Sequence, residues 1–276
     1  MSATKPILAL NVGNTHTTLA VLRGKRMLWR STVKTAQLLN QRNAKCLAKA
    51  WGEEISKCRE QIQHIGVASV VPKATQTFLP WLEKNVRAES YIISASLKLP
   101  FEIRYRTPQT LGADRIAVAA FAAEHFPSQA VIVIDFGTAI TYDILTSGAH
   151  YLGGLILAGA HTAAASLWQR AAQLPEFQLR KTSKLIGSST VECLEAGLFW
   201  GKVAETEGLI AKLKVELKRK YRESKNFGGS NGWGCSGVCT HCCHNRPCRK
   251  RCCALWHSRN CRKKFYDDLS QPVFKG

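Results

Sequence analysis

An apolar run that breaks into a short polar turn occurs twice in the chain, at residues 8–15 and 131–138. In each copy the run ends at an Asn or Asp, followed by one apolar residue, a glycine and a nearby hydroxyl-bearing residue. A second apolar stretch comes next, at residues 18–22 and 141–145. A buried strand, a glycine-bearing turn and a return strand form a hairpin, so this pattern predicts two similar hairpins.

The segments between and after the hairpins alternate between helical and strand patterns. Helices are predicted at 35–62, 75–86, 115–125 and 190–220, and strands at 65–71 and 90–93. Alternating elements in two similar halves predict an α/β protein with a central cleft. We expect two domains, residues 1–115 and 116–225, followed by a segment of different character at 226–276.

Composition excludes some locations and partners. No apolar run reaches the roughly 18 residues that a membrane span needs, and the N-terminal residues lack the features of a secretory signal. We therefore expect a cytoplasmic protein with no membrane partner. The net charge of +20 lies largely in the last quarter of the chain. A nucleic-acid groove would explain it, but a solvated helix face with a basic tail explains it as well, so we do not expect nucleic acid as a partner.

Both predicted turns contain residues small enough for the backbone to approach a phosphate group. Successive N–H groups in a turn form a concavity that binds anions. A P-loop is excluded because the pattern GxxxxGK[ST] is absent. A single turn of this kind would be read as an ordinary hairpin. Its repetition favours two turns that hold one phosphorylated ligand.

A second candidate site lies at Asp114 and Arg115. They follow a loop in which Pro108 restricts the backbone and Gly112 permits a close approach. A carboxylate there can accept a hydroxyl proton, and a guanidinium can bind a carboxylate through two hydrogen bonds. The alternative is that Asp114 caps a helix and Arg115 lies on the surface. Thr190, at the start of the last predicted helix, either donates to a ligand or caps that helix.

These segments together resemble the type III pantothenate kinases. The resemblance covers residues 7 to about 220 and rests on the order and spacing of NVGNT, YRTPQTLGADR, VIDFGTAITYD, YLGG and IGSSTVE. It implies duplicated ribonuclease H-like domains of the actin-like ATPase superfamily around a central cleft. It also implies a homodimeric enzyme that phosphorylates pantothenate to 4'-phosphopantothenate with ATP, the first step of coenzyme A biosynthesis. The implied cofactors are ATP, Mg²⁺ and a monovalent cation, K⁺ or NH₄⁺.

The resemblance also implies a role for each matching residue. The ATP phosphates would be held by Asn11, Val12, Gly13, Asn14, Thr15, His16, Thr17 and Thr18, and the nucleotide would contact Thr138. Pantothenate would be bound by Tyr105, Gly112, Ala113, Asp114, Arg115 and Thr190. Asp114 would be the catalytic base that takes the proton from the primary hydroxyl. Asp135 would ligate the monovalent cation, in keeping with the oxygen ligands that hard cations prefer.

The chain departs from the family pattern at Asn11, where the family usually has Asp. An Asp there helps to position Mg²⁺ and its waters at the transferred phosphate. We expect the neutral amide of Asn11 to weaken Mg²⁺ use or to reduce turnover, without preventing folding.

The second departure begins near residue 226, where the helical and strand patterns stop. Eight of the eleven cysteines lie within residues 235–261. One interpretation is a zinc site, since Cys239 and Cys242 have ligand-type spacing. Another is a shift of reading frame near Gly229, which would give an abrupt basic and cysteine-rich segment. The alternative function that suits such a tail is a regulatory or nucleic-acid-binding homologue that keeps the kinase fold.

Overall fold

The computed structural model describes residues 5–24, 26–57, 62–171, 174–175, 177, 179–222 and the backbone of 236–239. The chain divides into two compact units. Unit 1 comprises Met1–Leu99 and Arg106–Ala120, and unit 2 comprises Pro100–Tyr105 and the chain from Phe121 onward. The domain limits expected at residues 115 and 225 stay predictions.

Unit 1 is built on a five-stranded sheet in the order β3-β2-β1-β4-β5. Its strands are β1 (Ile7–Val12), β2 (His16–Arg23), β3 (Arg26–Lys34), β4 (His64–Ser69) and β5 (Glu89–Ile92). The central strand β1 buries Leu8, Leu10 and Val12, the alternate positions that share one face of a strand. β1 pairs antiparallel with β2 and parallel with β4.

Two helices supply the other part of the unit 1 core. They are α1 (Gln41–Lys57) and α2 (Pro72–Val86), and Trp51 of α1 meets Phe78 of α2 edge-on with ring centroids 5.4 Å apart. The helix predicted at 35–62 is in fact a 3₁₀ turn at Thr35–Leu39 followed by α1. The break has a local cause, because the Asn40 side chain accepts the backbone N–H of Asn43 at 3.1 Å and so caps α1.

A helix, α3 (Ala113–His125), follows a short 3₁₀ turn at Pro108–Thr110. Unit 2 then has a five-stranded sheet in the order β10-β7-β8-β9-β6. Its strands are β6 (Glu102–Ile103), β7 (Val131–Phe136), β8 (Ala139–Leu145), β9 (His150–Ala158) and β10 (Ser236–Cys239). The helices α4 (Ala160–Arg170) and α5 (Thr190–Tyr221) complete it, and α5 buries Phe199, Val203, Ile210 and Leu217 in the same core cluster as Ile132 of β7.

The two units repeat one strand pattern. In unit 1 the antiparallel run β1-β2-β3 has the parallel strand β4 beside β1, and in unit 2 the antiparallel run β7-β8-β9 has the parallel strand β10 beside β7. This confirms the predicted α/β class and the two similar halves. The expectation of no strand pattern after residue 226 is wrong at Ser236–Cys239, where backbone pairing with β7 makes a strand. No helix among the described residues is long and apolar enough to cross a membrane.

Candidate active site

The first predicted turn is the tip of the β1–β2 hairpin. The backbone N–H of Gly13 donates to the carbonyl of His16 at 3.0 Å and closes the turn. A Cβ on Gly13 would lie only 3.1 Å from that carbonyl oxygen, so glycine suits this position. Asn14, Thr15 and His16 are exposed at the tip, as is Asn11. Val12 and Thr17 are fully buried, so neither residue is accessible to a ligand, whereas Thr18 is partly exposed.

Thr35 stabilises the first turn through two hydrogen bonds. Its hydroxyl donates to the carbonyl of Gly13 at 2.6 Å, and its backbone N–H donates to the carbonyl of Thr15 at 2.9 Å. The hydroxyls of Thr35 and Thr17 lie 3.0 Å apart, and the two residues are 1% and 0% exposed. Sequence analysis missed Thr35. The only sequence feature that pointed to Thr35 was its position at the start of a predicted helix.

The second turn, between β7 and β8, is closed and fastened in a similar way. Gly137 donates its N–H to the carbonyl of Ala139 at 3.0 Å. The carbonyl of Thr138 accepts the N–H of Gly159 at 2.9 Å and the hydroxyl of Thr162 at 2.7 Å. A Cβ on Gly159 would lie 2.1 Å from the carbonyl oxygen of Gly137, so only glycine allows this approach. Thr138 is exposed, and Asp135 is partly buried near the end of β7.

Asp114 lies inside the first turn of α3, which begins at Ala113. Its Oδ1 accepts the backbone N–H of Arg115 at 2.8 Å, which orients the carboxyl group. Asp114 is not at the N-cap position, because the helix starts one residue earlier, but its side chain does accept an N–H group of the first helical turn. The expectation of a surface Arg115 is also wrong, since this residue is only 8% exposed.

A cavity of about 810 Å³ lies in unit 1 beside the start of α3. Its walls are the end of β4 at Ser69 and Val70, residues 93–96, and residues 108–113. Serine and threonine hydroxyls and one amide line it together with apolar groups, and its lining residues among the described ones carry no charge. Such a cavity suits a small polar molecule.

Val70 connects this cavity with the first turn. Its N–H donates to the carbonyl of Val12 at 3.0 Å. Its Cγ1 lies 3.6 Å from the position that a Cβ on Gly112 would occupy. The structure therefore brings the first turn and the segment Gly112–Arg115 to the same residue within unit 1.

Tyr105 lies in unit 2, where a glycine of β9 makes room for its ring. Gly153 has a φ of +97°, and a Cβ there would lie 3.0 Å from Tyr105 Cδ2. The ring of Tyr105 also meets Tyr151 edge-on, with centroids 6.4 Å apart. Tyr151 in turn donates its hydroxyl to Asp143 Oδ1 at 2.6 Å. Asp143 belongs to the VIDFGTAITYD segment, whose sequence alone does not indicate this bond.

Thr190 is the first residue of α5 and is exposed. The interpretation of Thr190 as the helix cap is wrong, because Ser189 caps the helix by accepting the N–H of Glu192 at 3.2 Å. The Glu192 carboxylate accepts from Lys184 Nζ at 2.6 Å, and from the Ser188 hydroxyl at 2.5 Å and N–H at 2.8 Å. These donors, Lys184 first, lower the pKa of Glu192 to about 2.

Known proteins match the chain over most of its length. The profile of the type III pantothenate kinase family matches residues 7–212. The chain belongs to this family. The type III pantothenate kinase of Chlorobaculum tepidum is 36% identical over 217 residues, which are 79% of each chain. That of Chlorobaculum parvum is 39% identical over 210 residues, 76% of this chain and 77% of the relative. That of Moorella thermoacetica is 34% identical over 223 residues, 78% of this chain and 84% of the relative.

The resemblance drawn from the sequence is thereby confirmed. Of the residues that the type III pantothenate kinase resemblance singled out, unit 1 carries the first turn and the segment Gly112–Arg115. Unit 2 carries Tyr105, Asp135, Thr138 and Thr190. Among the described residues there is no group of three or more His, Cys, Asp or Glu arranged to hold a metal ion.

The tail lies beyond residue 212, where the match to the family profile ends. The zinc-site and frame-shift interpretations concern residues 226–276. Apart from the backbone of Ser236–Cys239, these lie outside the described residues. Nothing in the comparisons favours the regulatory or nucleic-acid-binding alternative.

Proposed function

We propose that this chain transfers the γ-phosphoryl group of ATP to the primary hydroxyl of pantothenate, giving 4'-phosphopantothenate for coenzyme A biosynthesis. The observation that carries the proposal is the position of Asp114, an oriented carboxyl group in a segment that also lines an uncharged, hydroxyl-rich cavity. Membership of the type III pantothenate kinase family supports the same reaction.

In the proposed reaction Asp114 is the catalytic base. It accepts the proton of the primary hydroxyl while the hydroxyl oxygen attacks the γ-phosphorus, and the bond to the bridging oxygen breaks to release ADP. Gly112 and Ala113 line the pantothenate cavity, and Arg115, Tyr105 and Thr190 complete the substrate contacts. Phosphoryl transfer depends mainly on positioning and charge neutralisation, which is what these residues would supply.

Residues 11–18 hold the ATP phosphates in this proposal, and Thr138 contacts the nucleotide. The tip at Asn14–His16 is exposed and belongs to a tight turn, a kind of backbone that can bind an anion. Mg²⁺ typically binds substrate phosphates and keeps several waters, so it needs few protein ligands. Asn11 would offer a neutral amide oxygen to that ion, and Asp135 would offer a carboxylate to K⁺ or NH₄⁺. When bound, Mg²⁺ neutralises charge on the transferred phosphoryl group.

We also propose a cytoplasmic homodimer. Among the described residues of unit 2, four large apolar side chains are well exposed: Ile156, Leu185, Ile186 and Val215, at 65%, 71%, 86% and 66%. A second copy of the chain would cover such groups. Analytical ultracentrifugation across a range of concentrations tests this, and a monomer at all concentrations would contradict it.

The activity is tested by following ADP release with and without pantothenate, in K⁺, in NH₄⁺ and in Na⁺ buffers, with the product identified by mass. We expect ADP release that depends on pantothenate and on K⁺ or NH₄⁺. The variant D114N, which keeps the shape of the side chain but removes the base, is expected to lose about 100-fold or more in kcat. Pantothenate-independent ADP release, or full activity of D114N, would contradict the proposal.

A further inference from the structure

The first three strands of unit 1 carry no carboxylate. No Asp or Glu occurs before Glu53, whereas residues 1–52 contain nine lysines and arginines. The neighbouring strand β4 has no acidic residue either. The first turn, between β1 and β2, therefore belongs to a part of the sheet in which every lysine or arginine lacks an acidic neighbour on the adjoining strands. A surface with charges of one sign attracts ions of the other sign.

The sheet of unit 1 has two different faces. Val12, Leu19 and Val33 belong to the core cluster that also contains residues of α1 and α2. Successive side chains of a strand point to opposite faces, so the residues next to these lie on the second face of the sheet. The second face carries Asn11, His16, Thr18, Thr32 and Lys34. Thr18 is half-buried there, and the other four are exposed.

The strand register places these side chains in two rows. Asn11 pairs with Thr18 and Thr18 pairs with Thr32, which makes one row across β1, β2 and β3. The hydroxyls of Thr18 and Thr32 lie 3.0 Å apart. His16 pairs with Lys34 in the next row, at the tip of the hairpin. Paired residues of antiparallel strands have Cβ atoms about 5 Å apart, so Lys34 lies beside the tip.

The residue that follows Lys34 fixes its backbone to the first turn. The N–H of Thr35 donates to the carbonyl of Thr15 at 2.9 Å, and the Thr35 hydroxyl donates to the carbonyl of Gly13 at 2.6 Å. The Lys34 side chain itself is exposed. A lysine ammonium group on its flexible stem binds phosphate oxygens as a point charge. Lys34 therefore has a fixed origin and a mobile cationic end beside the turn.

We propose that the side chains of Lys34 and Thr32 bind the phosphates of the nucleotide, so that the phosphate site extends from residues 11–18 onto β3. This inference rests on the proposed function, because it takes the first turn to be the phosphate site. It concerns side chains of unit 1 alone. Asn11 leaves the second face without a carboxylate, and Lys34 neutralises phosphate charge directly, whether or not a divalent ion is bound.

The test compares a lysine on the second face with a lysine elsewhere in unit 1. K34Q removes the charge, K34R keeps it, and T32V removes the neighbouring hydroxyl. K84Q is the matched control, since Lys84 is exposed in the last turn of α2, a helix that packs against the opposite face of the sheet. ATP and inorganic tripolyphosphate are titrated by calorimetry without pantothenate, with Mg²⁺ or with a chelator, at about 0.1 M and about 1 M KCl.

We expect K34Q to bind ATP and tripolyphosphate about fivefold more weakly than the wild type at the lower salt concentration, because one charged contact is lost. The loss should grow with the chelator, when the phosphates carry more negative charge. It should shrink at the higher salt concentration, where the Debye length falls from about 10 Å to about 3 Å. T32V should weaken ATP binding about threefold.

The controls should change little. The ATP affinity of K34R and of K84Q, and the KM for pantothenate of K34Q, should stay within about twofold of the wild type. The melting temperature of K34Q should equal that of the wild type, because the side chain is exposed. Wild-type ATP affinity in K34Q overturns the inference. An equal loss in K84Q also overturns it, because net charge alone would then explain the effect.

Calorimetry separates the two proposals. If the wild type binds ATP but phosphorylates no pantothenate, the proposed function fails, whereas a loss of ATP affinity in K34Q still supports the role of Lys34. If the wild type is an active pantothenate kinase and K34Q binds ATP normally, only the role of Lys34 is refuted. A wild type that binds no ATP refutes both.

Discussion

The hydroxyl of Tyr151 donates a 2.6 Å hydrogen bond to Oδ1 of Asp143, and both side chains are completely buried. Thr141 donates to the other carboxylate oxygen at 3.3 Å. A buried carboxylate is tolerated only when its oxygens accept hydrogen bonds. The pair therefore stabilises the part of unit 2 that contacts the ring of Tyr105.

Removing the Tyr151 hydroxyl should destabilise the protein. Y151F is expected to lower the free energy of unfolding by about 2–3 kcal/mol, because the buried Asp143 loses a charge-assisted bond. Y91F is the control, since Tyr91 donates to Glu89 at 2.8 Å on the exposed surface, where water competes for the bond and its removal should cost much less stability. Urea unfolding measures both changes, and equal losses in the two variants would contradict the prediction.

A side chain at Gly153 should lower both the stability of the fold and the affinity for the substrate. In G153A the new Cβ meets the Tyr105 ring at 3.0 Å and sits on a backbone with φ of +97°. We expect a loss of about 1–3 kcal/mol in stability and a higher KM for pantothenate. Gly201 of α5 has nothing within 4 Å of a built Cβ, so G201A should stabilise the protein by up to about 1 kcal/mol. Thermal unfolding and initial rates check both variants.

Glu192 should make the start of α5 sensitive to acid. Its pKa in the folded protein, about 2, lies below the ordinary value of 4.5. The stability contributed by the ionised form is therefore complete above pH 4.5 and is lost as the pH falls through about 2. The difference in melting temperature between the wild type and E192Q should be constant near neutral pH and shrink below pH 4.5. E195Q, on the same helix, controls for the loss of a negative charge, and a pH-independent difference would refute the assignment.

Restoring the acid at residue 11 should improve the use of Mg²⁺. Asn11 is exposed beside the first turn, so N11D adds a carboxylate there without disturbing the core. We expect a higher kcat and about a tenfold lower Mg²⁺ concentration for half-maximal rate, as one charge-assisted contact would give. N14D adds the same charge at the tip and should instead weaken ATP binding. Unchanged turnover and Mg²⁺ dependence in N11D would show that the expectation is wrong.

The parts of the structure that depend on short-range patterns could be predicted from the sequence. Both hairpins follow from apolar runs that end at a glycine-bearing turn, and the α/β class follows from the alternation of elements. The predictions that were wrong concern the residues at which helices begin, and each depends on the side chain of a single residue. Asn40 interrupts a helical pattern by capping α1, and Ser189 rather than Thr190 caps α5. Neighbouring candidates of similar chemistry make such choices hard to predict.

In the candidate site, only the residues that belong to short sequence motifs could be predicted. The contact of Thr35 with Gly13 spans 22 residues, and no periodic pattern encodes such a distance. The burial of Arg115 could not be predicted either, because a charged side chain at a helix start is usually solvated. The roles of Asp143 and Tyr151 required the register of β8 and β9 to be known.

The hydrogen bonds that Thr35 and Thr162 make to the two turns also affect the entropy of ligand binding. Thr35 fastens the first turn with groups of unit 1 alone, and Thr162 fastens the second with groups of unit 2 alone. Each turn therefore has its shape before any nucleotide arrives. A ligand that binds to a preorganised loop does not lose affinity to the ordering of that loop. Nucleotide capture by this chain should accordingly proceed with little loss of backbone freedom at either turn.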